Sequence, residues 1–537
     1  MTTELRPGAG VAWVSGIGCL AVAVLVNLPN FVYPFFEDTA LFAAVGRWMH
    51  AGLVPDRDLI AMKPPAIFWT SYLTYGLFGV SPFGARAVEL AVILATADAC
   101  GRITARFGCA PWGFTALLCA LLSSGALWGL PERGQVEFFE SAALAWGAYA
   151  LLEGGCAARV GPLVVSGALL ALASWFKPQA ALLGGLLAIP LGAVAWYRGG
   201  LREAVRLLAA FGLGVASVSA LFAGWLWTTG ALHPFLDTML VVNRGYLDLR
   251  ARPSLLQALA YLRPYELSAG AGIASTALIV AGLATLFRRA SSGRRTAWAG
   301  IVLGLWLLTA FVQFWSGGYL FNYHKVILVA PAACLIMEGC WALRGLIAAR
   351  LPPSSGRLRR VIPAAAIATV FVLLGLTPKL LFEGTVLVRW MAGLERRDDV
   401  QCHFGKELHY YDYCAQLAAA RYVRERTEPG DRVQVIGIGG AFYLTVDRRP
   451  ATRFLLASLA LDPRYRGKAE RFAEFMNELR QRPPAYIVAR TNDYFPWFGL
   501  PSGLQMLQLE PALHDFVRAR YVLEGEVSPG FLALRRR

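Results

Sequence analysis

Charge is scarce in this chain of 537 residues, and acid is scarcer than base. Asp, Glu, Lys and Arg make up 16% of it, with 35 acids against 51 Lys and Arg, a formal net charge of +16. Hydrophobic residues make up 56% and the mean hydropathy is +0.49. A water-soluble globule is therefore excluded, because too much apolar surface would face solvent. The chain also lacks a basic module interleaved with aromatics. Its positive excess does not argue for nucleic acid, since Lys and Arg between apolar runs set membrane topology instead. No CxxC pair and no His-rich spacing suggests a metal site. The glycine run at 437–440 (GIGG) lacks the third glycine and the later acid of a dinucleotide fingerprint. Neither an internal repeat nor a long low-complexity segment is present.

What is present is a series of apolar segments, at about 11–29, 84–106, 110–128, 137–152, 161–176, 178–196, 207–228, 268–287, 298–315, 325–346 and 361–382. The fold class this predicts is a polytopic α-helical membrane protein of about eleven spans over residues 1–382. The polar start MTTELRPGAG is short and has no small-residue cleavage site, so the first segment is expected to stay as an anchor. With the N-terminus inside, Arg102, Arg106, Arg159, Arg198, Arg288 and Arg344 all fall in cytoplasmic loops. The first loop, 30–65, then faces outward. Seven cysteines lie in or beside apolar segments and read as small core residues.

After Phe382 the apolar runs stop. Ala415–Thr427 and Glu470–Arg480 read as helices. The residues after Asp431, Ala485–Ala489, Tyr521–Val527 and Phe531–Arg535 read as strands. Alternation of this kind predicts an extracytoplasmic α/β domain over 383–537. Cys402 and Cys414 would then meet an oxidising compartment and pair as a disulfide.

Chemistry concentrates between Phe31 and Trp69. An acidic pair, Glu37-Asp38, opens the stretch. Leu41, Phe42, Val45, Trp48 and Met49 follow at helical spacing, as one face of a helix lying along the membrane surface. Beyond the turn at Ala51-Gly52 come Asp56, Arg57, Asp58 and Lys63, the last followed by two prolines that fix the backbone. The apolar segment 64–79 is too short to span and is expected to be re-entrant or to lie on the surface. A carboxylate, a cation and an amphipathic shelf together suit chemistry on an anionic lipid headgroup.

This stretch resembles the first extracytoplasmic loop of the GT-C glycosyltransferases, in the branch of protein O-mannosyltransferases and lipid A aminoarabinose transferases. The pattern there is an acid after the first span, a surface helix, then Lys-Pro before an apolar aromatic segment. Here it reads Asp38, Thr39–His50 and Lys63-Pro64-Pro65. The resemblance implies transfer of a sugar from a polyprenyl-phosphate donor to a hydroxyl of a lipid, glycan or protein, on the outer face and with inversion.

On that reading Asp38 is the base that takes the acceptor proton; read from local sequence alone, it caps the helix starting at Thr39. Glu37 is a second catalytic candidate, or a solvated surface acid. Lys63 would hold the departing phosphate, or snorkel to the interface. Relatives carry an acid before this lysine; here it is Met62, which puts a metal at that position in doubt. A divalent cation stays possible through Asp56 and Asp58. Arg133 is a phosphate contact and Glu137 an inward-facing acid, with a salt-bridged helix start as the alternative for both. Lys177-Pro178 resembles a donor-site Lys-Pro of relatives. Arg250 and Arg252 stand outside against the charge trend and call for an anionic partner. Tyr319, Tyr323, His324 and Lys325 resemble a Tyr-containing motif of relatives, or form an interface belt.

Two other functions fit the composition: a flippase or transporter for a polyprenyl-linked glycan, and a non-catalytic subunit of an envelope complex. The first lacks the matched broken helices expected of inverted repeats.

Overall fold

The computed structural model describes residues 9–60, 62–123, 133–248, 253–261, 269–288, 294–318, 320–352, 362, 365, 369, 378–404, 411–462, 464–465, 467–492 and 501–537. Its first part is helical throughout. In chain order the helices are α1 (Ala9–Asn27), α2 (Glu37–His50), α3 (Pro65–Phe78), α4 (Pro82–Phe107), α5 (Trp112–Ser123), α6 (Val136–Ala157) and α7 (Val160–Phe176). They continue with α8 (Ala181–Thr228), α9 (Leu232–Asp237), α10 (Asn243–Asp248), α11 (Leu255–Tyr261), α12 (Ala269–Arg288), α13 (Arg294–Ser316) and α14 (Val326–Arg350).

Among the described residues three stretches are long and apolar enough to cross a membrane: Pro178–Thr228, Arg295–Ser316 and Asn322–Arg350. Ile17–Phe31, Trp112–Ser123, Val160–Phe176 and Ala274–Arg288 are apolar but shorter. Most of the segment expected at 361–382 lies outside the described residues. The segments expected at 178–196 and 207–228 join into α8. They meet at a bend where Gly199 and Gly200 leave helical geometry, Gly200 at φ +69°.

Small residues let the helices close on one another. A β-carbon on Gly214 would lie 1.9 Å from the Val164 carbonyl oxygen, so α8 lies backbone to backbone on α7. One on Gly282 would lie 2.1 Å from the Leu335 carbonyl oxygen, which brings α12 equally close to α14. Within this core Glu338 is fully buried. Its carboxylate accepts from the Cys109 and Ala110 amides at 2.8 and 3.0 Å, so the turn between α4 and α5 is anchored on α14.

The C-terminal part begins with α15 (Pro378–Met391), α16 (Arg397–Phe404) and α17 (Tyr413–Arg424). Cys402 and Cys414 form a disulfide between α16 and α17. A five-stranded sheet follows, built from β1 (Arg432–Ile436), β2 (Arg449–Pro450), β3 (Tyr486–Arg490), β4 (Tyr521–Ser528) and β5 (Phe531–Arg536) in the order β2-β1-β3-β5-β4. The first three strands are parallel; β5 and β4 add antiparallel. Every residue of β3 is buried, as expected of a strand covered on both faces, whereas β4 at the edge is largely exposed. Helices α18 (Gly440–Val446), α19 (Ser458–Leu461), α20 (Lys468–Gln481), α21 (Gly503–Leu509) and α22 (Pro511–Arg520) complete the unit.

This unit does not keep its core to itself. Tyr33, Phe36, Leu41, Val45 and Phe68 of the first loop region pack into one cluster with Val433, Val435, Phe442, Tyr443 and Val488. Ile60 donates to the Arg453 carbonyl at 2.8 Å and bridges in parallel to Phe454, so the loop adds backbone pairing to the α/β unit. Arg47 of α2 pairs with Asp447. The loop is held from both sides, by the helical bundle and by the sheet.

Candidate active site

The site is organised by the first turn of α2. The helix starts two residues before Thr39, with Phe36 as its N-cap, and the cap comes from Thr39 rather than from Asp38. The Thr39 hydroxyl accepts from the Phe36 amide at 3.0 Å and returns a bond to the Phe36 carbonyl. Capping by Asp38 is thereby overturned, and its carboxylate is left free for other work. An acid in the first turn also sits favourably against the helix dipole.

Adjacent residues on a helix point about 100° apart. Glu37 and Asp38 therefore enter different surroundings. Glu37 is 5% exposed, which corrects the reading of a solvated acid. It accepts from Gln416 Nε2 at 2.6 Å, the Gly440 amide at 2.9 Å and Arg490 Nη1 at 3.2 Å. Burial raises its pKa, and Arg490 is the chief influence lowering it again. All of its partners belong to the α/β unit, so the geometry makes Glu37 a docking residue rather than a catalytic one.

Asp38 turns the other way and is only partly buried. Gln135 Nε2 donates to its Oδ2 at 3.4 Å. Desolvation dominates and raises its pKa above the usual carboxylate value. The Lys63 charge and the Gln135 bond oppose the rise; the Glu137 charge adds to it.

Gln135 is delivered by a chain of buried contacts. Gly134, at φ +65°, donates its amide to Glu89 Oε1 at 3.0 Å. Glu89 pairs with Arg86 at 2.7 Å, and Arg86 Nη2 donates to the Pro34 carbonyl at 2.8 Å, just ahead of α2. A β-carbon on Gly134 would press on Arg86 and Thr39, each at 3.2 Å.

Lys63 is partly buried and makes no hydrogen bond or ion pair among the described residues; its charge falls on Asp38. Met62 before it holds φ +57°, sparsely populated for a non-glycine residue, and Pro64 and Pro65 follow. The lysine is thus set by a constrained backbone.

Behind Asp38 lies a second cluster. Lys177 Nζ meets Glu137 Oε1 at 2.5 Å, and His324 Nε2 lies 3.7 Å from the same oxygen. One turn on, Glu140 accepts from Gln313 at 2.7 Å. Tyr323 stacks on Phe321 with ring centroids 5.2 Å apart and meets the His324 ring edge-on.

The structure thus gathers Asp38, Lys63, Glu137, Lys177, Tyr323 and His324 from five separate elements. It does not bring every candidate there. Arg133 is 1% exposed, stacks at 4.3 Å on the Tyr33 ring and bonds Asn30. It braces the loop that carries Gln135, and that engagement takes it out of open contact with a substrate phosphate. Asp58 accepts from the Val54 amide at 2.8 Å and is paired with Arg57; Asp56 is buried in the turn at φ +64°. Both shape the loop. Arg250, Arg252 and Tyr319 lie outside the described residues.

No group of three or more His, Cys, Asp and Glu able to hold a metal ion occurs among the described residues. Beside the site, between α2, α3 and α4, runs a groove of about 580 Å³ including its open mouth, lined by Phe35, Phe42, Ile67, Tyr75, Val88 and Phe139.

Gln135, Gln313 and Arg490 went unrecognised in the sequence. Gln135 had a faint signal, the glycine before it at a helix start; the other two had none.

No protein-family model matches this sequence, and no curated protein does. Among solved structures, two crystal structures of ArnT from Cupriavidus metallidurans are similar in fold. The one bound to undecaprenyl phosphate has a TM-score of 0.58 at 16% identity, and the one in the apo state 0.58 at 17%; each comparison covers 98% of both chains. The chain shares the fold of these two structures, a helical bundle followed by a small C-terminal sheet.

Proposed function

We propose that this protein is a GT-C-type glycosyltransferase of a bacterial inner membrane, moving a sugar from a polyprenyl-phosphate donor to a hydroxyl of an envelope lipid, glycan or protein. The observation that carries the reading is Asp38: a partly buried carboxylate with a raised pKa, at a helix start, with the Lys63 charge acting on it. The likeness in fold to a protein crystallised with undecaprenyl phosphate supports the donor class.

In this mechanism Asp38 takes the proton of the acceptor hydroxyl. The oxygen attacks the anomeric carbon as the bond from that carbon to the phosphate oxygen breaks, and the anomeric configuration inverts. Polyprenyl phosphate leaves with the bonding pair, its charge met by Lys63. Lys177, held on Glu137, and the His324 ring place hydrogen-bonding groups next to the same space. The apolar groove beside α2 suits a prenyl or acyl chain. The site and the α/β unit, residues 383–537, face outward, and the latter shapes access for the acceptor.

The test is transfer by purified protein in proteoliposomes supplied with a polyprenyl-phosphate sugar, comparing wild type with Asp38→Asn. Loss of transfer in a folded variant supports the reading; unchanged transfer overturns it. Extracts of deletion cells should accumulate a prenyl-linked sugar. Counterflow of that lipid without transfer would point to a flippase instead.

A further inference from the structure

A second cavity, of about 460 Å³ including its open part, lies where the first loop meets the edge of the sheet. Its lining shares no residue with the surroundings of Asp38 described above. Five arginines contribute: Arg57, Arg432, Arg449, Arg453 and Arg482, against two acids, Asp58 and Glu478.

Three of the arginines are neutralised locally. Arg57 pairs with Asp58 at 2.7 Å, Arg453 with Glu474 at 2.8 Å, and Arg482 with Glu478. Two are not. Arg432 Nη1 donates to the Pro450 carbonyl at 2.9 Å and Arg449 Nη2 to the Ala51 carbonyl at 3.3 Å; neither has a carboxylate partner among the described residues.

These two are also partners in strand register, Arg432 on β1 beside Arg449 on β2. Like charges side by side in a sheet repel. Burial lowers the Arg432 pKa, repulsion by Arg482 and Arg449 lowers it further, and the Glu478 charge opposes the fall without reversing it. Fold stability alone would favour a neutral residue at one of the two positions. Guanidinium groups converging on a polar cavity match the oxygens of a tetrahedral anion.

We propose that Arg432 and Arg449, with Arg482 beside them, form an oxyanion site that binds a phosphate group at the seam between the first loop and the α/β unit. The phosphate comes from a lipid headgroup or from a soluble phosphate. The site does not depend on the proposed sugar transfer.

The full-length protein is placed in nanodiscs of phosphatidylcholine and titrated calorimetrically with pyrophosphate. In parallel, its melting temperature is compared in discs with and without phosphatidic acid. Saturable pyrophosphate binding, or a saturable rise in melting temperature with phosphatidic acid, is expected of the wild type; which arm responds identifies the source. Arg432→Gln/Arg449→Gln should weaken the response about tenfold or more and, without anion, melt no lower than wild type, because a repulsion is gone. Arg449→Gln alone keeps the buried strand pairing and should also weaken binding. The proposal is overturned if wild type binds neither probe saturably, or if both variants bind as wild type does.

Discussion

Glu37 and Arg490 are separated by 453 positions in the chain and meet at 3.2 Å, both buried. Arg490 also donates to the Ile438 carbonyl at 2.6 Å and stacks on Phe531. One carboxylate thus ties the helix carrying Asp38 to a sheet built from the far end of the chain. Arg490→Met should lower stability by roughly 3–5 kcal/mol, because it leaves Glu37 buried without its cation. Glu37→Gln/Arg490→Met should regain much of that. Thermal unfolding of the four proteins in detergent, read as a double-mutant cycle, checks the coupling.

The proposed base role of Asp38 requires an ionised carboxylate, and its pKa lies above the ordinary carboxylate value. Transfer should therefore rise with pH through that elevated pKa and level off above it. Asp38→Asn should reduce turnover about 10²–10⁴-fold with little change in donor KM. A pH profile flat down to the ordinary carboxylate range would contradict the role.

Lys63 is the largest influence holding the Asp38 pKa down. In Lys63→Gln the pKa climbs further, so the ascending limb of the pH–rate profile should move to higher pH. Donor KM should rise as well if the ammonium meets the phosphate. A snorkelling lysine would change neither.

Asp56 has its pKa raised from 3.8 to about 7, chiefly by burial. A carboxyl that holds its proton more tightly when folded favours the folded state at low pH. That contribution is complete below about pH 4 and is lost as pH climbs to about 7. Asp56→Asn keeps the left-handed turn, which Asn tolerates, and removes the titration. The variant should be more stable than wild type at pH 8, by at most about 4 kcal/mol, and no more stable at pH 4. Melting curves across pH test this.

Gly440 lies against α2 so closely that a β-carbon would fall 2.4 Å from the Glu37 carbonyl oxygen. Gly440→Ala should cost about 1–3 kcal/mol and speed proteolysis of the first loop. Gly430→Ala, where a β-carbon meets nothing within 4 Å, is the control and should leave both unchanged.

Much of the architecture was legible because its causes are local. Apolar runs and strand alternation need no partner from elsewhere to be read, and among the described residues helices and strands lie at most of the places those patterns mark. The amphipathic stretch after Asp38 was equally clear. What misled was also local: Asp before Thr is a common cap, yet Thr39 takes that role through its own hydroxyl. Arg133 looked like a phosphate ligand from its place before a helix, and Tyr33 and Asn30 claim it instead.

The sequence alone determined that this chain is a helical membrane protein with an α/β tail and a reactive-looking first loop, because hydropathy and periodicity are properties of neighbouring residues. Only the tertiary structure decided which acid of the Glu37-Asp38 pair docks and which faces the site. A helix turns about 100° per residue, and what waits on each side is supplied by residues near 63, 135, 416 and 490 that no local pattern links.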